Sequence, residues 1–122
     1  NHDFVNCYGF YNYDDGVSHH DGCTGKVQGG EYYNNVKGGV SPAHGSVVSM
    51  ENIISHNNGY GFYCQADRNI GRNQNLMNCV AYENNYGISV KNYHIKAFNC
   101  KFDNNTNPTN VIVNENTSLT QL

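Results

Sequence analysis

The sequence has no apolar run longer than a few residues, so it holds neither the roughly 20-residue span of a membrane helix nor the apolar core of a signal peptide. No membrane insertion is expected. Cationic residues are sparse and scattered, seven Lys and Arg against ten Asp and Glu, with a formal net charge of −3. The basic footprint that nucleic-acid binding needs is missing, and nucleic acid is not an expected partner. No C-x-x-C pair occurs among the five Cys, an odd number, which points to neither a closed disulfide framework nor a zinc ribbon. Buried thiols made in a reducing compartment are expected instead.

What the sequence has in excess is Asn, 22 of 122 residues, together with 13 Gly. A chain of this length supports one domain. Paired polar residues recur as Asp14-Asp15, Asn34-Asn35, Asn57-Asn58, Asn84-Asn85 and Asn104-Asn105, with first members 20, 23, 27 and 20 residues apart. A second signal follows the first four pairs: Gly16-Val17-Ser18, Gly39-Val40-Ser41, Gly61-Phe62-Tyr63 and Gly87-Ile88-Ser89. A third precedes them: Val5-Asn6-Cys7, Met77-Asn78-Cys79 and Phe98-Asn99-Cys100, with Asn52-Ile53 in the equivalent place. Three signals in a fixed order identify an internal repeat.

Between the marks the pattern alternates with the period of two of a strand, as in Ser46-Val47-Val48-Ser49-Met50 and His94-Ile95-Lys96-Ala97-Phe98. Regularly spaced Asn and Gly would break a helical period. The fold expected is therefore all-β, a parallel β-helix of about five coils of 20–27 residues, stacked at about 4.8 Å into a stub about 24 Å tall. Residues 1–113 supply the coils and 114–122 a C-terminal tail or partial cap. The chain begins at Asn1, without Met and inside a repeat, so a fragment of a longer chain is expected. Stacking explains the composition: turn Asn tolerates the left-handed conformation and its amide can bond the coil above. Cys7, Ile53, Cys79 and Cys100 should share one inward column.

Laid out in coils, residues 3–113 resemble the right-handed parallel β-helix proteins of the pectate-lyase-like superfamily. The run Asn12-Tyr13-Asp14-Asp15-Gly16-Val17-Ser18-His19-His20-Asp21-Gly22 is most similar to a stretch in phage tailspike and preneck-appendage proteins and in prophage proteins labelled as teichoic-acid biosynthesis proteins. The resemblance implies a homotrimeric virion tail appendage, made in the bacterial cytoplasm and acting at the host cell surface. It further implies binding, and often depolymerisation, of a bacterial surface polysaccharide or wall teichoic acid. The pectin-hydrolase branch of the superfamily uses Asn-x-Asp, Gly-His-Gly and Arg-x-Lys coils. This chain lacks all three, the nearest approach being Ala43-His44-Gly45, so that catalytic set is not carried over.

Placing the Gly-led marks in register brings His19, His20 and Asp21, then His44, then Asp67 with Arg68, then Lys91 and Asn92, onto one face. This patch holds the groups for acid–base work on a glycosidic or phosphodiester bond, and its blander reading is a solvated column of turns. Asp14 and Asp15 are alternative carboxylates, with a turn role favoured for the pair. A column of His56, Glu83 and Asp103 reads more simply as exposed charge than as a catalytic set. His19, His20, Asp21, Cys23 and His44 show no recognised ligand spacing, so neither metal nor cofactor is expected. With no Trp, sugar stacking falls to ten Tyr and five Phe, about half of them core or ladder residues. Tyr60, Tyr86 and Tyr93, with Arg68 and Asn92, are the expected glycan contacts. A structural shaft without a ligand, and a polysaccharide lyase or epimerase of the same fold, are the competing classes. The latter needs a base aligned with cations, which are scattered here.

Overall fold

The computed structural model of the chain describes residues 1–67 and 71–122. These residues form fifteen strands and no helix, wound as a parallel β-helix of about five turns. The first three coils are β1 (His2–Val5), β2 (Tyr8–Phe10) and β3 (Val17–His19); β4 (Thr24–Gln28), β5 (Glu31–Tyr33) and β6 (Gly38–Pro42); β7 (Val47–Glu51), β8 (Ile54–His56) and β9 (Tyr60–Gln65). The fourth is β10 (Arg72–Met77), β11 (Val80–Tyr82) and β12 (Tyr86–Lys91). The fifth is β13 (Tyr93–Phe98), a single bridge from Lys101 to Val80, and β14 (Asn107–Val111). Segment 114–122 carries β15 (Ser118–Gln121), the sixth strand of the first sheet.

Every pairing is parallel and every third strand is a neighbour as far as β13, β14 and β15 pairing with the second strand before them, giving sheet A (β1-β4-β7-β10-β13-β15), sheet B (β2-β5-β8-β11) and sheet C (β3-β6-β9-β12-β14). Alternate residues point inward. Val27, Met50, Leu76 and Ala97 of sheet A meet Tyr32 and Ala81 of sheet B and Val40, Phe62 and Ile88 of sheet C in one continuous core. Each large side chain buried there stabilises the fold by about 1.5–3 kcal/mol. The thiol column is as expected: Cys79 and Ile53 are fully buried, and Cys7 and Cys100 half-buried.

Corners are made by residues in the left-handed region. Asn6, Asn52, Asn78 and Asn99, with Gly29 in the second coil, turn from sheet A to sheet B at φ between 52° and 69°. Tyr11, Asn34, Asn57 and Glu83 turn from sheet B toward sheet C at φ between 54° and 57°. The residue after each of the latter is an Asn, and with Asn105 of the fifth coil these form a ladder, Asn12, Asn35, Asn58, Asn84 and Asn105, of which the middle three are buried. Each rung ties two coils twice. The Asn58 Oδ1 accepts the Asn35 backbone N–H at 2.9 Å and its Nδ2 at 3.0 Å, while Asn58 Nδ2 donates to the Tyr32 carbonyl of the same preceding coil at 3.1 Å.

Rungs therefore stand 23, 23, 26 and 21 residues apart, not at the spacings of the paired residues in the sequence. Asp14-Asp15 is outside the ladder, and Asn84, the first of its pair, is the rung. The same offset breaks the expected His56–Glu83–Asp103 column: His56 pairs with Tyr82, and Glu83 is a corner residue. Beside the ladder, Gly16, Gly39, Gly61 and Gly87 form a column that has to be glycine. A Cβ on Gly61 would lie 2.6 Å from the Gly87 carbonyl oxygen and 3.0 Å from Asn84 Nδ2, so the missing side chain is the space the rung occupies.

Candidate functional site

The marks Gly16-Val17-Ser18 through Gly87-Ile88-Ser89 stack in register on sheet C: Val17 on Val40, Val40 on Phe62, and Phe62 on Ile88. The outer surface of that sheet, across the first three coils, carries a cleft of about 240 Å³. Asp15, His20, Lys37, His44, Tyr63 and Asp67 line it. Of the expected catalytic residues it brings together His20, His44 and Asp67, with Asp15 from the alternatives.

His44 follows β6 in the left-handed region, φ 51°, and Asp67 follows β9 one coil on. The two corners place His44 Nδ1 3.3 Å from Asp67 Oδ2, with the side chains 39% and 83% exposed. At that exposure the pair contributes under about 1 kcal/mol to stability. What the contact does is orient the imidazole, leaving Nε2 for a ligand. The His20 ring lies 5.3 Å from that of His44, tilted by 38°, and His20 Nε2 is 3.1 Å from Ser18 Oγ. Asp15 is held from the other side: its Oδ1 accepts the Gly38 N–H at 2.9 Å and the Ser41 hydroxyl at 2.7 Å. The turn role foreseen for Asp15 and its place in the cleft thus coexist. Asp14 is exposed and outside the cleft, its carbonyl accepting the Lys37 N–H at 3.0 Å.

Lys37 and Tyr63 were not among the expected site residues. Lys37 Nζ sits 4.8 Å from the centre of the Tyr63 ring, a cation over an aromatic face. Burial raises the Tyr63 hydroxyl above its ordinary value, with the Lys37 ammonium pulling the other way, so it remains a donor at neutral pH. One signal was available: Tyr63 stands where the other three marks have Ser, and a departure from the repeat is where a side chain is free to do something else. The Tyr63 ring is 4.5 Å from that of Tyr60, which stacks on Tyr86 at 5.2 Å and 14°. Two of the expected glycan contacts are thus continuous with the cleft and extend it into the fourth coil.

Other expected residues are elsewhere. His19 is 4% exposed, with Nε2 2.9 Å from the His2 carbonyl and its ring edge-on to Phe4, because the strand alternation of β3 turns it inward. Asp21 is an exposed corner residue, φ 56°, lining a separate cleft of about 470 Å³ with Phe4, Ser18, His19 and Cys23, which His20 also borders. Tyr93 is 0% exposed, its hydroxyl donating to the Ser46 carbonyl at 3.0 Å and accepting the Gly45 N–H at 3.1 Å, and burial pushes its pKa up. Asn92 is 1% exposed and donates to the Ala66 carbonyl at 2.7 Å. Burial removes Tyr93 and Asn92 from any glycan surface: both are corner and core residues of β13's approach. Arg68 lies outside the described residues.

On sheet B a second aromatic array runs up the outside: Phe10, Tyr33, His56 and Tyr82, stacked 4.8–5.1 Å apart and within 8° of parallel. His56 Nε2 also meets Glu31 Oε2 at 2.5 Å. These rings use their faces on one another and offer edges outward. Among the described residues no three His, Cys, Asp or Glu are grouped to hold a metal ion. What the sheet C cleft can do chemically is accept and donate hydrogen bonds to a polyhydroxylated chain and move a proton at His44 or His20. No family model matches the chain, and neither a curated protein nor a solved structure matches it.

Proposed function

We propose that this β-helix is the glycan-binding part of a phage-type receptor-binding protein, a trimeric tail appendage that lays a bacterial surface polysaccharide or wall teichoic acid along sheet C. The observation that carries the reading is the cleft itself. Carboxylates (Asp15, Asp67), imidazoles (His20, His44) and an ammonium-capped tyrosine (Lys37, Tyr63) converge on a repetitive scaffold, and Tyr60 and Tyr86 prolong the surface along the axis. A groove that crosses coils suits a polymer whose residues repeat along it. The resemblance of Asn12–Gly22 to tailspike sequences supports the bacterial surface as the source of that polymer.

Cleavage is the second half of the proposal. His44, aligned by Asp67, takes a proton from a water molecule whose oxygen attacks the linkage carbon or phosphorus, and His20 gives a proton to the departing oxygen. A shaft segment without a ligand is favoured by a different observation, the face-to-face stacking on sheet B, which stiffens the stub and withholds ring faces from sugars.

The test is incubation with purified wall teichoic acid and capsular polysaccharide, following binding and chain length, for wild type, His44→Asn with Asp67→Asn, and Tyr63→Ala. Binding lost with Tyr63→Ala and shortening lost with His44→Asn and Asp67→Asn support both halves. Binding without shortening removes the enzyme; neither binding nor shortening leaves the shaft.

A further inference from the structure

Cys79 and Cys100 occupy the same place in successive coils. Each follows a left-handed corner residue, Asn78 or Asn99, and each precedes one end of the parallel bridge between Val80 and Lys101. The Lys101 N–H donates to the Cys79 carbonyl at 3.0 Å, which locks the two backbones at strand spacing. Parallel neighbours stand about 4.8 Å apart, inside the Cα separation of about 4.4–6.8 Å that a disulfide spans. Both side chains point the same way: Cys79 is part of the core and Cys100 packs against it, half-buried.

The two sulfurs differ in access and in charge. Cys79 Sγ is enclosed, 3.4 Å from the Met77 carbonyl and 3.7 Å from that of Met50. Cys100 lines a cleft of about 380 Å³ with Lys101, Phe102, Pro108 and Thr109. The neighbouring Cys79 thiol holds Cys100 below the ordinary thiol value, while Cys100 and burial together raise Cys79. A reachable thiolate beside an enclosed resolving thiol is the arrangement of a redox pair. Cys64, by contrast, is fully buried with its thiol pushed up to about 12, and Cys7 is separated from Cys79 by Gly30 and Ile53.

We propose that Cys100 and Cys79 form a thiol–disulfide exchange site that takes a low-molecular-weight disulfide, of which oxidised glutathione is the probe. The Cys100 thiolate attacks one sulfur of the disulfide; that S–S bond breaks, and the departing thiolate takes a proton from water. Cys79 gives up its proton and attacks Cys100 Sγ, expelling the second thiolate, which is protonated in turn. Two protein thiols are oxidised and one disulfide is reduced to two thiols. The product ties the fourth coil to the fifth.

The experiment exposes the native chain to oxidised glutathione, quenches with iodoacetamide at intervals and reads intact mass and linked peptides. The expected result is loss of two hydrogens and a peptide pair joined through Cys79 and Cys100, forming faster as pH rises, with its midpoint below that of an ordinary thiol because Cys100 is lowered. Cys79→Ser should stop at a glutathione adduct on Cys100, and a Cys7→Ser, Cys23→Ser, Cys64→Ser variant should cross-link like wild type. A link through any other pair overturns the proposal. So does a lasting adduct on Cys100 while Cys79 is present, or alkylation of both thiols without reaction. The wild-type peptide map decides even where a variant does not fold.

Discussion

Two surfaces of the same coils behave oppositely. At the corner between sheets B and C the five coils are nearly copies: an Asn rung in every one, glycine beside it in the first four with Pro108 in the fifth, and bonds from rung to rung between every two neighbours. On the outside of sheet C and the corner that follows it, the coils disagree. Ser18, Ser41, Tyr63 and Ser89 share a column, and the residues after it are His20, His44 and Asp67 in turn. Buried amides must each find a partner, so the first region cannot vary without loss. The second faces water, where a substitution costs little and a new side chain can acquire a task. In a repeat protein the stabilising residues are those that recur, and the working ones are those that break the pattern.

That contrast is broken most forcefully at the centre of the ladder. Asn58→Ala takes the side-chain partner from the Asn35 N–H and the Tyr32 carbonyl in a buried corner, and removes the amide donated to Ser55 Oγ. A loss of about 3 kcal/mol or more is expected in urea unfolding. Gly61→Ala is next: its methyl would sit 2.6 Å from a carbonyl oxygen and 2.7 Å from Ala81 Cβ, and displacing the rung should cost about 1–3 kcal/mol. The contrast is sharpened by the cleft. His44→Asn and Asp67→Asn together should change stability by less than about 0.5 kcal/mol in the same assay, since Asn tolerates the left-handed corner at position 44 as well as His does. A larger loss would make the pair structural and dissolve the distinction between the two surfaces.

The parallel β-helix was legible because the Gly-led marks and the Asn-Cys marks are tied to backbone requirements, close packing beside a rung and a left-handed corner. Register on sheet C followed directly. The ladder's phase did not, because a rung is defined by position and not by its neighbour: the residue before it is Asn in the second, third and fifth coils but Tyr11 in the first and Glu83 in the fourth. Counting Asn pairs therefore slipped by one residue at Asn84 and by three at Asn12. The site was half legible. His20, His44 and Asp67 follow from bringing the Gly-led marks together, which puts the residues after them on one face, while the inward turn of His19 and the enclosure of Tyr93 and Asn92 depend on strand parity near a corner, which spacing does not reveal. Lys37 precedes β6 and Tyr63 belongs to a mark itself, so neither is among the residues that the marks lead into.

Each rung bonds only the coils next to it, so the ladder holds the third coil to the first solely through the second; Tyr93 reaches further, its hydroxyl tying the fifth coil to Gly45 and Ser46 at the entry to the third. Energy in the ladder is thus a sum over adjacent pairs. A fault in a terminal coil shortens the stack and leaves the rest standing. A fault at Asn58 divides it into two-coil pieces on either side, each below the three repeats that a stacked core needs. Tolerance to damage in this chain is thus a matter of position along the axis, lowest at the middle coil, where the His44 and Asp67 corners straddle the turn and the cleft has its walls.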